Sequence, residues 1–254
     1  MLGVEAFVDW VELDTWPSPT CPKCGHGLLI GKKDLLHPES GVSQEWRSED
    51  EWEPDWMYGS LAGILTCNNS ECGEVVAVGG TWRVGSSRDP YEQYATQLRA
   101  KYFDPPLHLI HVPQRTPEAT GEAIRDASQL LLINPSASAN RLRQGTEALL
   151  DSKRVKRTTM VTRQDGSRFR KQISLHVRIV AFRKSQPEVA DLLEAVKWIG
   201  NDGSHESGLK AQEVLIGARI LETALKLLYE TSDPELERQV KKIIKNKGIR
   251  ARRS

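Results

Sequence analysis

The sequence predicts an α+β protein, with a β-rich N-terminal region followed by an α-helical bundle. Two contrasts between the halves support this. Six of the seven tryptophans (Trp10, Trp16, Trp46, Trp52, Trp56 and Trp82) fall in the first 82 residues, among short segments broken by Gly and Pro. Beyond about Thr116 the pattern changes to long amphipathic stripes with apolar residues three and four apart, the spacing of one helix face. The region between carries Pro105, Pro106 and Pro113 and reads as a stiff connector.

In the first half, Val75, Val76 and Val78 suit a short strand, and Gly79-Gly80 the turn after it. No continuous helical pattern stands out there. In the second half, Thr116-Pro117 reads as an N-cap and first helical position, followed by Ala119, Ala123, Ile124, Ala127 and Leu131. Asn134-Pro135 repeats the signal and opens a helix to about Leu150. A third helix begins near Pro187 and should end at Gly200. A fourth runs from about Gln212 to Tyr229. Four such helices can bury a shared core. The resulting division is 1–84, a β-rich domain with a Trp-rich insertion; 85–115, the connector; 116–232, the bundle; and 233–254, a basic tail.

Composition narrows the function classes. The 254 residues are 39% hydrophobic and 27% charged with a formal net charge of +1, so overall charge implies neither a nucleic-acid nor a membrane partner. No segment approaches the roughly 20 apolar residues that span a bilayer, and MLGVEAFVDWVELD lacks the basic start of a signal peptide. The expected location is cytoplasmic.

In a reducing compartment, clustered cysteines point to metal rather than disulfides. All four lie between residues 21 and 72. Cys21-Pro-Lys-Cys24-Gly places two thiolates within reach of one ion, and Cys67-Asn-Asn-Ser-Glu-Cys72-Gly supplies a second, wider pair. Two such pairs complete a four-thiolate tetrahedral shell with no open position, the pattern of a structural zinc ribbon. The 42 residues between the knuckles are long for a minimal ribbon and are assigned to an insertion around the acidic, Trp-rich 45–56 segment. His26, two residues past Cys24, is the other possible ligand and is less well placed. With the cysteines committed to metal, no Cys nucleophile remains, and no Gly-rich phosphate loop is present.

Basic residues concentrate in two places. Eight Lys or Arg against two acids lie between Asp151 and Lys171, including Lys153, Arg154, Lys156, Arg157, Arg168, Arg170 and Lys171. Thr158–Thr162 and Arg168–Ser174 flank Gln164-Asp165-Gly166-Ser167, a β-hairpin pattern that makes 151–174 an insertion in the bundle. Eight more basic residues follow Glu237. Such concentration suits phosphate contact with RNA or DNA, and equally a solvated loop and a frayed tail.

The four-cysteine ribbon, ASANRLRQGTEALLD (Ala137–Asp151) and KWIGNDGSHE (Lys197–Glu206) together resemble the prokaryotic family catalogued as domain of unknown function 4145. That family is grouped with the HEPN superfamily of small helical bundles. The resemblance implies a HEPN-like bundle, often dimeric. Its members are often toxins or antiviral effectors that cut RNA without metal, through an Arg, a polar residue, three variable residues and His. Aligned so, His205 and Asn201 match the histidine and the polar position, but Gly200 stands where arginine is expected. Glycine offers no donor to a phosphorane, a loss worth on the order of a hundredfold or more in rate. Lys197, Arg141 or Arg143 would have to substitute, although Arg143 and Glu147 sit four apart and suit an intrahelical salt bridge. The expected function is therefore a non-enzymatic, zinc-containing binding or scaffold protein of a defence type, with a nucleic-acid or protein partner and a homodimeric bundle. A metal-independent ribonuclease using His205 is the alternative.

Overall fold

A computed structural model describes residues 3–202, 208–230 and 238. The chain is α+β, with an antiparallel sheet first and helices after it. Strands β1 (Val11–Glu12), β2 (Leu29–Ile30), β3 (Tyr58–Cys67), β4 (Val75–Ser86) and β5 (Tyr94–Asp104) are ordered β1-β5-β4-β3-β2. Every neighbouring pair is antiparallel. β3 follows the period of two that a half-buried strand requires, turning Leu61, Leu65 and Cys67 inward. Val76, Val78 and Trp82 of β4 and Leu98, Ala100 and Phe103 of β5 complete that buried face. Phe7 packs its ring at a tilt against both Trp16 and Phe103, with ring centroids 4.9 and 4.7 Å apart.

The strand expected to end before Gly79-Gly80 instead runs on to Ser86. The expected 85–115 connector differs more. Its residues 94–104 are β5, paired with β4 along nearly its whole length. A register shift opposite Gly79 and Gly80 breaks the period of two in β5, and its Gln, Arg and Lys residues disguise a strand that has covered neighbours on both sides. The segment between the knuckles holds more than a loop. A six-residue helix, α1 (Gly41–Trp46), is capped by Ser40, whose hydroxyl accepts from Ser43 N. It rests beside Trp56 and Tyr58, with Trp46 near both rings.

The helical half contains α2 (Glu118–Leu131), α3 (Pro135–Ser152), α4 (Leu175–Arg183), α5 (Pro187–Asp202) and α6 (Ala211–Tyr229). Asn134 caps α3 as expected, accepting from Ala137 N at 3.0 Å. α2 starts one residue later than its Thr-Pro signal suggests, with Pro117 at the cap. α4 was not expected. Ser174 caps it, and Leu175, Ile179 and Phe182 bury one narrow stripe against the bundle. The third expected helix, α5, passes through Gly200 to Asp202 rather than stopping there. Between α3 and α4, β6 (Thr158–Thr162) and β7 (Arg168–Gln172) form the expected hairpin.

The two halves share one hydrophobic core, continuous from Phe103 through Leu107, Leu109 and Ile110 to Ile124 and Leu131. Ser128 Oγ donates to the Leu107 carbonyl at 2.6 Å, and Val4 N donates to that of His108 at 3.2 Å. No helix among the described residues is long and apolar enough to cross a membrane.

Candidate metal centre

The sheet brings the two knuckles together. The first leads directly into β2, and the second is the loop between β3 and β4. Because Leu29 of β2 pairs with Cys67 at the end of β3, both loops emerge at the same end of the sheet. Each is a tight turn closed by backbone hydrogen bonds: Gly25 N donates to the Cys21 carbonyl at 3.0 Å and Cys72 N to that of Asn69 at 2.9 Å. Gly25 and Gly73 turn the chain back with φ of +70° and +56°, the region that glycine occupies freely. Asn68 Oδ1 accepts from Leu28 N at 2.9 Å, and Lys23 meets Glu74 at 2.9 Å, so polar contacts also join one knuckle to the other.

Within this frame the Sγ atoms of Cys21, Cys24, Cys67 and Cys72 all lie within 4.8 Å of one another. Cys21 and Cys72 are 3.8 Å apart, and Cys24 and Cys67 are 3.7 Å apart. A tetrahedral ion with sulfur bonds of about 2.3 Å has sulfur–sulfur edges of about 3.8 Å. The separations therefore fit one metal ion, and four thiolates would fill its shell. Disulfides, at about 2 Å, do not fit. Gly27 leaves room for this cluster: a Cβ there would stand 2.4 Å from Cys67 Sγ.

The surroundings treat the sulfurs unequally. The backbone N–H groups of His26 and Gly27 hold the Cys24 thiol down to about 6, the second donating to Sγ at 3.3 Å. Burial pushes Cys67 up to about 12. Cys72 is also raised: the Glu74 amide lowers it, but burial and the thiols of Cys21 and Cys24 together prevail. A divalent cation, by displacing the protons, would relieve what burial imposes. His26 is not among the clustered ligand atoms.

The other expected site residues are distributed differently. His205 lies outside the described residues, as does the 233–254 tail apart from residue 238. Asn201 sits in the last turn of α5, half-buried. The Gly200 position cannot simply be refilled with a side chain, because a Cβ there would meet Arg143 Cβ at 2.7 Å and the Ala139 carbonyl at 3.2 Å. The would-be substitutes for arginine are engaged elsewhere. Arg143 donates to Glu147 at 2.8 Å, the expected intrahelical pair, and Arg141 donates to Gln144 at 2.8 Å. Lys197 is buried, 3.3 Å from His176 Nδ1, 3.4 Å from Glu194 and over the ring of Trp198.

Residues 125–247 match the family described as domain of unknown function DUF4145. The DUF4145 match covers α3 to α6 and the hairpin, so it accounts for the motifs from Ala137 and from Lys197. It does not reach the cysteines: residues 10–106, with both knuckles and the whole sheet, match a second family, described as domain of unknown function DUF8608. The resemblance read from the sequence had extended DUF4145 over the ribbon as well. No curated protein and no solved structure matches the chain.

Of the basic residues at and around the hairpin, the structure unites some and separates others. Alternation along the hairpin places Arg168 and Arg170 on one face with Met160, and Lys171 on the opposite face with Val161 and Phe169. Lys153 and Lys156 lie at its base. Arg157 is paired with Asp151. Arg154 closes the end of α3 in the left-handed conformation, φ +59°. Sequence reasoning missed Arg178, which is buried against Asp151 although its only signal was a charge on the apolar side of α4.

Proposed function

We propose that this chain is a non-enzymatic, zinc-organised binding protein whose basic hairpin contacts a nucleic acid. The observation that carries the reading is the four-sulfur cluster. Four thiolates around one ion would leave it no site for substrate, which is the arrangement of a structural ion. Zinc is the ion of choice, because four thiolates on two knuckles at one end of a sheet make a closed, redox-silent staple.

Contact with nucleic acid is the role assigned to Lys153, Arg154, Lys156, Arg157, Arg168, Arg170 and Lys171. Arg168 and Arg170 provide its exposed centre, and Arg157 contributes least because Asp151 neutralises it. The bundle is read as HEPN-like and the chain as a cytoplasmic, homodimeric accessory of prokaryotic defence. The ribonuclease alternative is not favoured, since Gly200 excludes a side chain and Arg141, Arg143 and Lys197 are held in other contacts.

A mobility-shift series over salt concentration tests the nucleic-acid part. About four phosphate contacts give a loss of roughly a hundredfold in affinity for duplex DNA between 50 and 200 mM salt. Replacing Arg168 and Arg170 by Glu should weaken binding and flatten that slope. Binding that is absent at low salt, or indifferent to both salt and the double substitution, contradicts the reading.

A further inference from the structure

At the base of the hairpin, where α3 ends and α4 begins, lies a groove of about 490 Å3. Three cationic residues, Lys153, Lys156 and Arg178, share its lining with an apolar wall that includes Val177, Phe182 and Leu228. Its size falls within the usual range for small-ligand sites, roughly 300–1,000 Å3, and so does its composition of apolar surface with a few polar groups.

Arg178 distinguishes this groove from a crease between helices. Its side chain is 6% exposed. Nη2 donates to Asp151 and, at 3.3 Å, to the Val155 carbonyl, but Nε is sealed from solvent and has no hydrogen-bond partner. An N–H left in that state lacks the hydrogen bond it had in water, and a ligand acceptor would restore one.

The charge around it is unbalanced. Asp151 is divided between Arg178 and Arg157. Glu147, which also acts on Arg157, is bonded to Arg143. Lys153 lies over the Tyr229 ring at 4.4 Å, and neither it nor Lys156 is paired with a carboxylate among the described residues. Three cations and one shared acid favour a doubly charged anion, and the apolar wall requires that the anion carry a flat or apolar body.

We infer that the groove binds one nucleoside monophosphate unit, with its phosphate on Lys153, Lys156 and Arg178 and its base against the wall formed by Val177 and Phe182. The inference rests on the nucleic-acid reading in that Lys153 and Lys156 serve both. The unit can be a free nucleotide or the 5′-phosphorylated end of a strand.

Calorimetric titration of the full chain with 5′-AMP, adenosine and inorganic phosphate tests it. 5′-AMP should bind at least tenfold more tightly than either fragment. Ala181→Glu introduces a carboxylate at an exposed lining position of α4, and Lys156→Glu reverses an exposed charge. Each variant should keep the native circular dichroism and lose at least tenfold in affinity for 5′-AMP. Arg168→Glu with Arg170→Glu should leave 5′-AMP binding unchanged while weakening strand binding, so failure at the hairpin and failure at the groove are told apart. Competition of a 5′-phosphorylated oligonucleotide, but not its 5′-hydroxyl form, with 5′-AMP identifies a strand end. Competition by neither identifies the free nucleotide. Absence of 5′-AMP binding, binding by phosphate alone with equal strength, or a folded Ala181→Glu variant that binds as the native chain does would overturn the inference.

Discussion

A methyl group on Gly27 would lie 2.4 Å from Cys67 Sγ, well inside van der Waals contact, so the sulfur cluster and this glycine compete for the same space. Gly27→Ala should therefore yield protein with less than half the metal of the native chain and a lower melting temperature, as read by metal analysis and a thermal scan. Gly41 is the control, since a Cβ there meets nothing within 4 Å. At the end of α3 the residue effect has the opposite sign. Val155 N donates to the Leu150 carbonyl and Arg154 N to that of Asp151, the two bonds of a Schellman closure. The residue between them adopts φ +59°, which glycine takes without the Cβ penalty. Arg154→Gly should raise stability by about 0.5–1 kcal/mol, after the added freedom of the unfolded chain is subtracted. Urea denaturation measures it, and no gain would mean that the arginine side chain stabilises the turn by other contacts.

Asp151 joins three elements, since it holds Arg157 before β6 and Arg178 on α4 from its own place on α3. Removing it by Asp151→Ala strands a guanidinium in the interior, a loss of about 3 kcal/mol. Burial pushes the Asp151 carboxyl up, but the hydrogen bonds and charges of Arg157 and Arg178 outweigh burial and leave it below its ordinary value. Glu39 is lowered chiefly by hydrogen bonds from Arg47 and Ser43, and Glu194 chiefly by Arg183. A carboxylate lowered in the folded state stabilises fully above its unfolded value, and that stabilisation is lost as the pH falls from there through the folded value. The share of the urea midpoint that these three carboxylates supply should therefore be complete above about pH 5 and be lost below about pH 4. Asp151→Asn should start lower at neutral pH and fall less steeply. An acid limb identical to the native one would show that the carboxylate carries no such linkage.

The elements differ in how plainly the sequence announces them. α3 is legible because Asn134-Pro135 marks its start and apolar residues recur on one face. The hairpin is legible because Asp165-Gly166 follows Thr158–Thr162, which is mostly β-branched, and precedes a segment of equal length. β5 and α4 are not, for physical reasons. β5 lacks the Val and Ile of a typical buried strand and carries a register shift, so its partners define it more than its own residues do. α4 is only nine residues long and exposes Val177 and Val180, which blurs its stripe.

Over the whole molecule, the cysteine-bearing sheet and the helices share one hydrophobic core. The sheet passes its core through Leu107 and Ile110 into α2, and Arg115 donates to the Tyr229 carbonyl at 2.7 Å beyond it. The four clustered cysteines are legible because two short spacings contain them. The groove is not, because Lys153 and Arg178 are 25 positions apart and only the fold makes them neighbours. The proposed function rests on one ion that organises the sulfurs at the end of the sheet. X-ray absorption at the metal edge of the purified native chain, with the metal quantified on the same sample, tests that most directly. One zinc per chain with four sulfur neighbours at about 2.3 Å is the result predicted. Chains without stoichiometric metal, a different metal, or a shell containing nitrogen or oxygen would contradict it.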